Sequence, residues 1–233
     1  MIRSFIFKFF FYFGIVTICI IFLPALILPN RIVLFGGKIM GFWSKICLNV
    51  FLSTKILIKG KENLITDSKF FIACSHQSMF ETFFLQTIFN SPIFILKKEL
   101  LKIPVFGWYL KKIGSISIDR NKITRENLGF SEKIKSVANS TNRPIIIFPQ
   151  ATRVSADDRA PFKKGVARIY EDLKIKCQPL AINSGLVWPK TGKLISNKTI
   201  TVSILKEINP GMNEKDFIDT LQKNIYNELD LIS

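Results

Sequence analysis

Hydrophobic patterning divides the chain into an apolar N-terminal part and a longer part of alternating elements. From Thr54 onward, short β-branched runs alternate with segments of helical periodicity, which predict buried strands and helices respectively. We expect strands at residues 55–59, 70–74, 93–96, 115–118, 144–148, 177–182 and 199–205, and helices at 79–89, 105–113, 124–138, 165–172 and 214–231. This order indicates one α/β domain, residues 54–233, whose largely buried sheet is flanked by helices.

The first 53 residues are predicted to be membrane-anchoring helices. Residues 9–28 are twenty consecutive positions without a charge, about the number needed to cross the hydrocarbon core. Residues 32–52 are also apolar, but glycines and lysines interrupt them, which is typical of a helix in the interface or of a re-entrant segment. Basic residues flank the first segment on both sides, so they do not decide its orientation. We expect a helical hairpin that dips into one leaflet, with a single span as the alternative.

Composition narrows the choice of partner. The formal charge of +16, from 33 basic and 17 acidic residues, implies an anionic partner such as phospholipid, nucleic acid or a phosphorylated substrate. Hydrophobic residues make up 48% of the chain, which favours a membrane over nucleic acid. The four cysteines form no C-x-x-C pair, so we expect neither a disulfide framework nor a metal site. The 25 Lys against 8 Arg suggest an AT-rich, bacterial genome.

The candidate chemistry centres on His76, the one histidine of the chain, and on Glu81 five positions later. The predicted strand 70–74 delivers His76 at its carboxyl end, where open α/β sheets bind ligands. Ser78 can cap the following helix, so that His76 precedes the helix and Glu81 can reach back to it. Glu81 would then hold one ring nitrogen while the other accepts a proton from a substrate hydroxyl. Cys74 is nearby, but an apolar strand cysteine is expected to be inert.

Four further segments follow in a set order. They are Lys97-Lys98-Glu99-Leu100 with Ile103-Pro104-Val105-Phe106-Gly107-Trp108, then Gly114 to Arg120, then Phe148-Pro149-Gln150-Ala151-Thr152-Arg153, then Pro179-Leu180-Ala181-Ile182. With His76 and Glu81 on the first motif, H-x-x-x-x-D, this set resembles the 1-acylglycerol-3-phosphate acyltransferases, also called lysophosphatidic acid acyltransferases. The resemblance covers roughly residues 55–190.

The resemblance implies a glycerolphosphate-acyltransferase-like α/β fold and transfer of a fatty acyl group from a thioester to the sn-2 hydroxyl of lysophosphatidate. In that reaction His76 acts as general base and Glu81 stabilises its imidazolium. Lys97, Arg120 and Arg153 are expected to bind the acceptor phosphate, and Gln150 and Thr152 to bind the acceptor. The expected donor is acyl-CoA or acyl-carrier protein, with no cofactor and no nucleic acid. A bacterial source would place the enzyme on the cytoplasmic face of the inner membrane, where membrane lipid is its expected partner.

Two positions depart from the family motifs. Glu81 replaces the usual Asp, so the turn must accommodate a longer side chain. Gln150-Ala151 replaces Glu-Gly, which removes a charge and adds a methyl group at a tight turn. Gln keeps hydrogen-bonding capacity, whereas Ala suits the position only if its φ is negative. An inactive lipid-binding relative, an acyltransferase for another lysolipid and a basic membrane-tethered module for another anionic partner therefore stay as alternatives.

Overall fold

A computed structural model describes residues 2–118 and 129–233. Its strands are β1 (Lys55–Lys59), β2 (Phe70–Cys74), β3 (Ile93–Lys97), β4 (Ile116–Ile118), β5 (Ile145–Ile147), β6 (Lys176–Ile182) and β7 (Thr199–Ile204). Its helices are α1 (Ile2–Ile21), α2 (Asn30–Leu52), α3 (Phe80–Ile88), α4 (Phe106–Lys112), α5 (Phe130–Ser140), α6 (Gly165–Leu173) and α7 (Glu214–Ile232). Short 3-10 turns lie at Leu23–Leu26, Lys61–Asn63, Lys98–Lys102 and Ser184–Leu186.

The strands form one seven-stranded sheet in the order β1-β7-β6-β2-β5-β3-β4. Strands β2 to β6 are mutually parallel, while β7 runs antiparallel to β6 and β1 runs parallel to β7. The carboxyl ends of β2, β3, β5 and β6 therefore meet at one side of the sheet, which we call the carboxyl edge. Ligands of open α/β sheets bind in this position.

Two hydrophobic clusters cover the two faces of the sheet. One contains side chains of α1, α2, α3 and α4, and the other contains side chains of α5, α6 and α7. The central strand β2 contributes to both clusters, with Ile72 on one face and Phe71 and Ala73 on the other. Covering both faces is the requirement of a sheet whose strands are apolar throughout. The predicted α/β class, with a buried sheet flanked by helices, is confirmed.

The strand bounds match the sequence prediction closely. Strands β1 and β2 have the predicted bounds, and the other five differ by one residue at one or both ends. Pro144, for example, precedes β5 because it has no N–H to donate to a neighbouring strand. The helix predicted at 124–138 is seen from Phe130 to Ser140, and residues 124–128 lie outside the described residues.

The N-terminal part contains two helices, as the hairpin prediction requires, but the first of them does not coincide with the uncharged segment 9–28. Helix α1 begins at Ile2 and ends at Ile21. Pro24 lies in the 3-10 turn that follows, where its missing N–H and its ring prevent the α-helix from continuing. Helix α2 then returns along α1, and Trp43 Nε1 donates a hydrogen bond to the carbonyl of Phe11 at 3.3 Å. The two helices thus form a hairpin.

Helix α1 has two different faces. Phe7 and Phe11 are fully buried and contact the Trp188 ring edge-on, with ring centroids 5.0 and 4.9 Å away. The opposite face exposes large apolar side chains, namely Phe5, Phe9, Phe13, Val16 and Ile20. Among the described residues, α1 is the one helix that is long and apolar enough to cross a membrane. The boundary at residue 53 between anchor and domain stays a prediction.

Candidate active site

His76 follows β2 at the carboxyl edge, and the segment after β5 holds it at three points. Its backbone N–H donates to Gln150 Oε1 at 3.2 Å, and its carbonyl accepts from the Val154 N–H at 2.9 Å. The imidazole stacks on the Phe148 ring, with centroids 3.9 Å apart and planes 17° apart. The first and third predicted motifs therefore form one structural unit around the imidazole.

Glu81 lies in the first turn of α3 and is 0% exposed. Its Oε1 accepts from the backbone N–H groups of Gln77 at 3.2 Å and Ser78 at 3.0 Å, and Oε2 lies 3.1 Å from the same Ser78 nitrogen. The Ser184 hydroxyl donates to Oε1 as well. A buried carboxylate is stable only when such donors replace its lost water.

The two residues face each other as their spacing predicts. His76 precedes α3, and its Nδ1 lies 3.4 Å from Glu81 Oε2. This is a close contact rather than an aligned hydrogen bond, and contacts of this kind in active sites commonly tighten when substrate binds. Because Nδ1 is buried against the carboxylate, Nε2 is the nitrogen left to accept a proton.

Ser78 lies in the turn between the two residues, one position before the N-cap of α3. Its Oγ accepts from the Phe80 N–H at 3.2 Å, while Met79 occupies the N-cap position without a side-chain bond. The Glu81 carboxylate itself receives the N–H groups of the two residues before Met79. The longer Glu side chain is thus accommodated by reaching back over the start of its own helix.

The cations predicted to bind phosphate have different surroundings. Lys97 ends β3 at the carboxyl edge, and its Nζ lies 3.3 Å from Glu99 Oε1 with both side chains about half exposed. Arg153 directly precedes Val154, so its backbone lies beside the His76 loop, and the residue is partly exposed. Arg120 lies outside the described residues. The structure therefore places the backbone of Arg153 next to the residue that binds the His76 carbonyl.

The two predicted acceptor-binding residues lie on opposite sides of the loop after β5. Gln150 is 2% exposed, and its Oε1 supports the His76 backbone from within the protein. Thr152 is exposed, and its Oγ1 accepts from Lys190 Nζ at 3.3 Å. The prediction omitted Lys190, although a lysine shortly after the fourth motif was a usable signal for a further cation.

Ala151 has a left-handed backbone, with φ at +61°. Its N–H donates to the Phe148 carbonyl at 2.9 Å, which closes the tight turn after β5. An L-residue in this conformation costs about 1–2 kcal/mol relative to glycine's free choice. The condition of a negative φ is not met, so the methyl group is held at a position where the family motif has glycine.

Cys74 is buried at the end of β2, and its Sγ donates to the Ser75 carbonyl. Burial, and secondarily the Glu81 carboxylate, raise the pKa of this thiol well above its usual range. Since only the thiolate is a strong nucleophile, Cys74 is held in the inert form. This agrees with the expectation from the sequence.

An α/β sheet that presents an imidazole–carboxylate pair beside basic residues is a suitable arrangement for acyl transfer to a phosphorylated alcohol. A model of the family described as Acyltransferase matches residues 55–183, more than half of the chain. The chain belongs to this acyltransferase family, and the resemblance predicted from the motifs is confirmed.

Individual relatives make the likeness more specific. The chain is 33% identical over 162 residues to the 1-acyl-sn-glycerol-3-phosphate acyltransferase of Bacillus subtilis, covering 66% of this chain and 76% of that one. It is 33% identical over 149 residues to the protein of the same name from Pseudomonas aeruginosa, covering 63% of this chain but only 56% of the relative's length. The crystal structure of the 1-acyl-sn-glycerophosphate acyltransferase PlsC from Thermotoga maritima matches with a TM-score of 0.80 at 19% identity, covering 100% and 98% of the two chains. The last match supports the fold alone.

Proposed function

We propose that this protein transfers a fatty acyl group from a thioester to the sn-2 hydroxyl of 1-acylglycerol-3-phosphate, giving phosphatidate. The observation that carries the proposal is the His76–Glu81 contact of 3.4 Å at the carboxyl edge. The names of the relatives from Bacillus subtilis and Pseudomonas aeruginosa support the same substrate. The reaction would serve phospholipid biosynthesis.

The reaction requires a base because an alcohol is a weak nucleophile. His76 Nε2 takes the hydroxyl proton as the oxygen attacks the thioester carbonyl, and the buried Glu81 carboxylate stabilises the imidazolium. The tetrahedral intermediate then expels the thiolate, which breaks the C–S bond and leaves the new ester. The proton held by His76 passes to the leaving sulfur. No covalent acyl-enzyme is formed, in agreement with the inert state of Cys74.

The acceptor phosphate would be bound on the exposed side of the same loop. Arg153 and Lys97 are assigned to the phosphate on the basis of their positions at the carboxyl edge, and Arg120 is assigned on its motif alone. Thr152 and its neighbour Lys190 add a hydroxyl and an ammonium group to this side. Charge-assisted contacts from such groups would turn the sn-2 hydroxyl toward His76.

Gln150 keeps its assignment to the acceptor, with a supporting role added. Its amide oxygen holds the His76 N–H, so any contact of Gln150 with the acceptor would come from a side chain that also fixes the base. The donor would be acyl-CoA or acyl-carrier protein. No cofactor is proposed, because the thioester carbonyl is already activated and the imidazole supplies the proton transfer.

The N-terminal hairpin supports membrane attachment. The exposed face of α1 is a continuous apolar surface, which suits lipid contact better than water. We propose attachment at the cytoplasmic face of a bacterial inner membrane. Washing membranes with 1 M salt should leave the protein bound, because hydrophobic insertion is not screened by ions. Release of intact protein by salt would argue for an electrostatic attachment instead.

The test of the activity is a direct assay. Purified protein in lipid or detergent is given lysophosphatidate with acyl-CoA or acyl-carrier protein, and phosphatidate is measured. Lysophosphatidylcholine and lysophosphatidylethanolamine serve as alternative acceptors, so that activity toward another lysolipid is detected in the same assay. Phosphatidate formation that is lost with His76→Ala supports the proposal, and no product with either donor contradicts it.

A second candidate is a lipid-binding relative without turnover. The strained Ala151 and the neutral Gln150 favour it, because both replace usual motif residues beside the base. In that case lysophosphatidate would bind without being acylated, and the double change Gln150→Glu with Ala151→Gly would create turnover. Robust activity of the unmodified protein excludes this candidate.

A further inference from the structure

A short turn after β6, Ser184–Leu186, contacts the segment 77–81 at the carboxyl edge, because β6 is the parallel neighbour of β2. Ser184 is completely buried, and its hydroxyl donates to Glu81 Oε1. The next residue, Gly185, donates its N–H to Gln77 Oε1 at 3.0 Å. Two hydrogen bonds therefore join this turn to the segment 77–81, across more than 100 positions of sequence.

The turn is itself firmly held. Asn183 Oδ1 accepts from the Thr201 N–H at 2.7 Å, and Asn183 Nδ2 donates to the carbonyl of Ile232 near the end of α7. A Cβ atom on Gly185 would lie 2.9 Å from Gln77 Oε1, so glycine permits this close approach. The Ser184 hydroxyl is thus presented from a fixed frame made of β6, β7 and α7.

The other donors to Glu81 have a different origin. The N–H groups of Gln77 and Ser78 belong to the same turn as the carboxylate, and Gln77 is joined to the frame through its own side chain rather than through Glu81. Of these three donors, Ser184 is the one that joins Oε1 directly to the frame, and with Oε1 so held, Oε2 is left toward His76 Nδ1. A group held in the geometry of the reaction needs no reorganisation when charge develops on the imidazole.

We propose that Ser184 is a positioning residue for Glu81 and acts on catalysis through that carboxylate. The inference rests on the proposed acyl transfer. A hydroxyl that acts only through Glu81 must change the chemical step and leave substrate binding unaltered. A hydroxyl that merely stabilises the fold would change the melting temperature without a selective change in kcat.

Ser203→Ala is a matched control. Ser203 also donates from β7 to a glutamate, with its Oγ 2.6 Å from Glu228 Oε1, but this pair lies outside the His76 site. Both variants remove one serine–glutamate hydrogen bond. We expect Ser184→Ala to lower kcat about tenfold, the scale of one hydrogen bond to a charged group, with KM for both substrates within about twofold. Ser203→Ala should leave kcat unchanged.

A double-mutant cycle tests whether the effect passes through the pair. In a Glu81→Ala or a His76→Ala background, Ser184→Ala should cost no further activity, because the carboxylate or the base it positions is already absent. The His76→Ala background is available even if removal of the buried Glu81 prevents folding. Melting temperatures confirm that each compared variant is folded.

The outcomes separate the two proposals. If the unmodified protein acylates lysophosphatidate but Ser184→Ala behaves like Ser203→Ala, the role of Ser184 is wrong and the function stands. The same conclusion follows if Ser184→Ala lowers activity by the same factor in the His76→Ala background. If the unmodified protein acylates no lysolipid with either donor, the function itself is wrong and the positioning role is lost with it.

Discussion

The candidate site has two sides with different proposed roles, a base side at His76 and Glu81 and an acceptor side at Thr152 and Lys97, and the two are built differently. On the base side, Glu81 is fully buried, its carboxylate has three donors, and the His76 ring is stacked on Phe148. On the acceptor side, Thr152 is exposed and the Lys97 side chain is 45% exposed. The base side is thus set before substrate arrives, whereas the acceptor side remains open to solvent.

This difference follows from what each side must do. Proton transfer is sensitive to geometry, so fixed donors and a stacked ring reduce the reorganisation that the reaction requires. A phosphate group can be held by long cationic side chains that adjust to it, and exposure keeps them hydrated until it binds. Substitutions on the base side should therefore lower kcat, and substitutions on the acceptor side should raise KM.

The largest effect is expected at the base. His76→Ala removes the proton acceptor, and we expect turnover to fall by about a hundredfold or more, in line with general-base contributions. The measurement is steady-state acylation of lysophosphatidate, with the melting temperature as a check on folding. Near-normal turnover in a folded His76→Ala variant would falsify the mechanism.

A smaller effect of another kind is expected at Arg153. Arg153→Ala should raise the KM for lysophosphatidate by about tenfold, the scale of one charge-assisted contact, with a lesser change in kcat. Arg153→Lys should recover only part of the loss, because lysine lacks the planar fork of the guanidinium. Arg168→Ala, on the exposed side of α6, is the matched control and should leave KM unchanged. A change confined to the KM of the thioester would instead assign Arg153 to the donor.

Substitution of Ala151 tests the cost of its backbone strain separately from the acyl-transfer reaction. Ala151→Gly relieves the left-handed backbone at φ +61° and should raise the free energy of unfolding by up to about 1 kcal/mol, since glycine also gains freedom in the unfolded chain. Denaturant unfolding with an unchanged m-value measures this. A loss of stability would mean that the methyl group makes a packing contact worth more than the strain.

The smallest effect on turnover is expected at Cys74. The fully buried thiol has a raised pKa, so it should resist alkylation by iodoacetamide at pH 8 while the protein is folded and react once it is unfolded. Cys74→Ala should keep its activity. An acyl group trapped on Cys74 during turnover would contradict direct attack by the acceptor.

Local patterns predicted much of this fold. Runs such as Lys55–Lys59 and Phe70–Cys74 are β-branched or aromatic and lie between turn residues, so their bounds were readable from the sequence. The position at which α1 ends was not readable in this way, because a count of apolar residues does not show that Pro24 prevents the helix from continuing. The antiparallel direction of β7 against β6 depends on how the chain crosses the sheet, which hydrophobic patterning does not encode.

Some contacts of the candidate site were likewise predictable from the sequence, and others were not. His76 and Glu81 are close in sequence, so a turn and a helix start were enough to predict that they would meet. Ser184 meets Glu81 only because β6 pairs with β2, and no local pattern identifies it. Gln150 was predicted from a motif, but its contact with the His76 backbone required the pairing of β2 with β5. The roles assigned to these residues stay predictions until they are tested.

The contact of α1 with Trp188 limits how the protein can be shortened. Phe7 and Phe11 cover this indole, and Phe11 also packs edge-on against Phe83 of α3, with ring centroids 5.5 Å apart. Removing α1 to obtain a shorter fragment would expose the indole and the Phe83 ring to water, although both are buried in the intact protein. Such a fragment should aggregate rather than dissolve. The first helix therefore covers part of the protein interior in addition to its predicted role as an anchor.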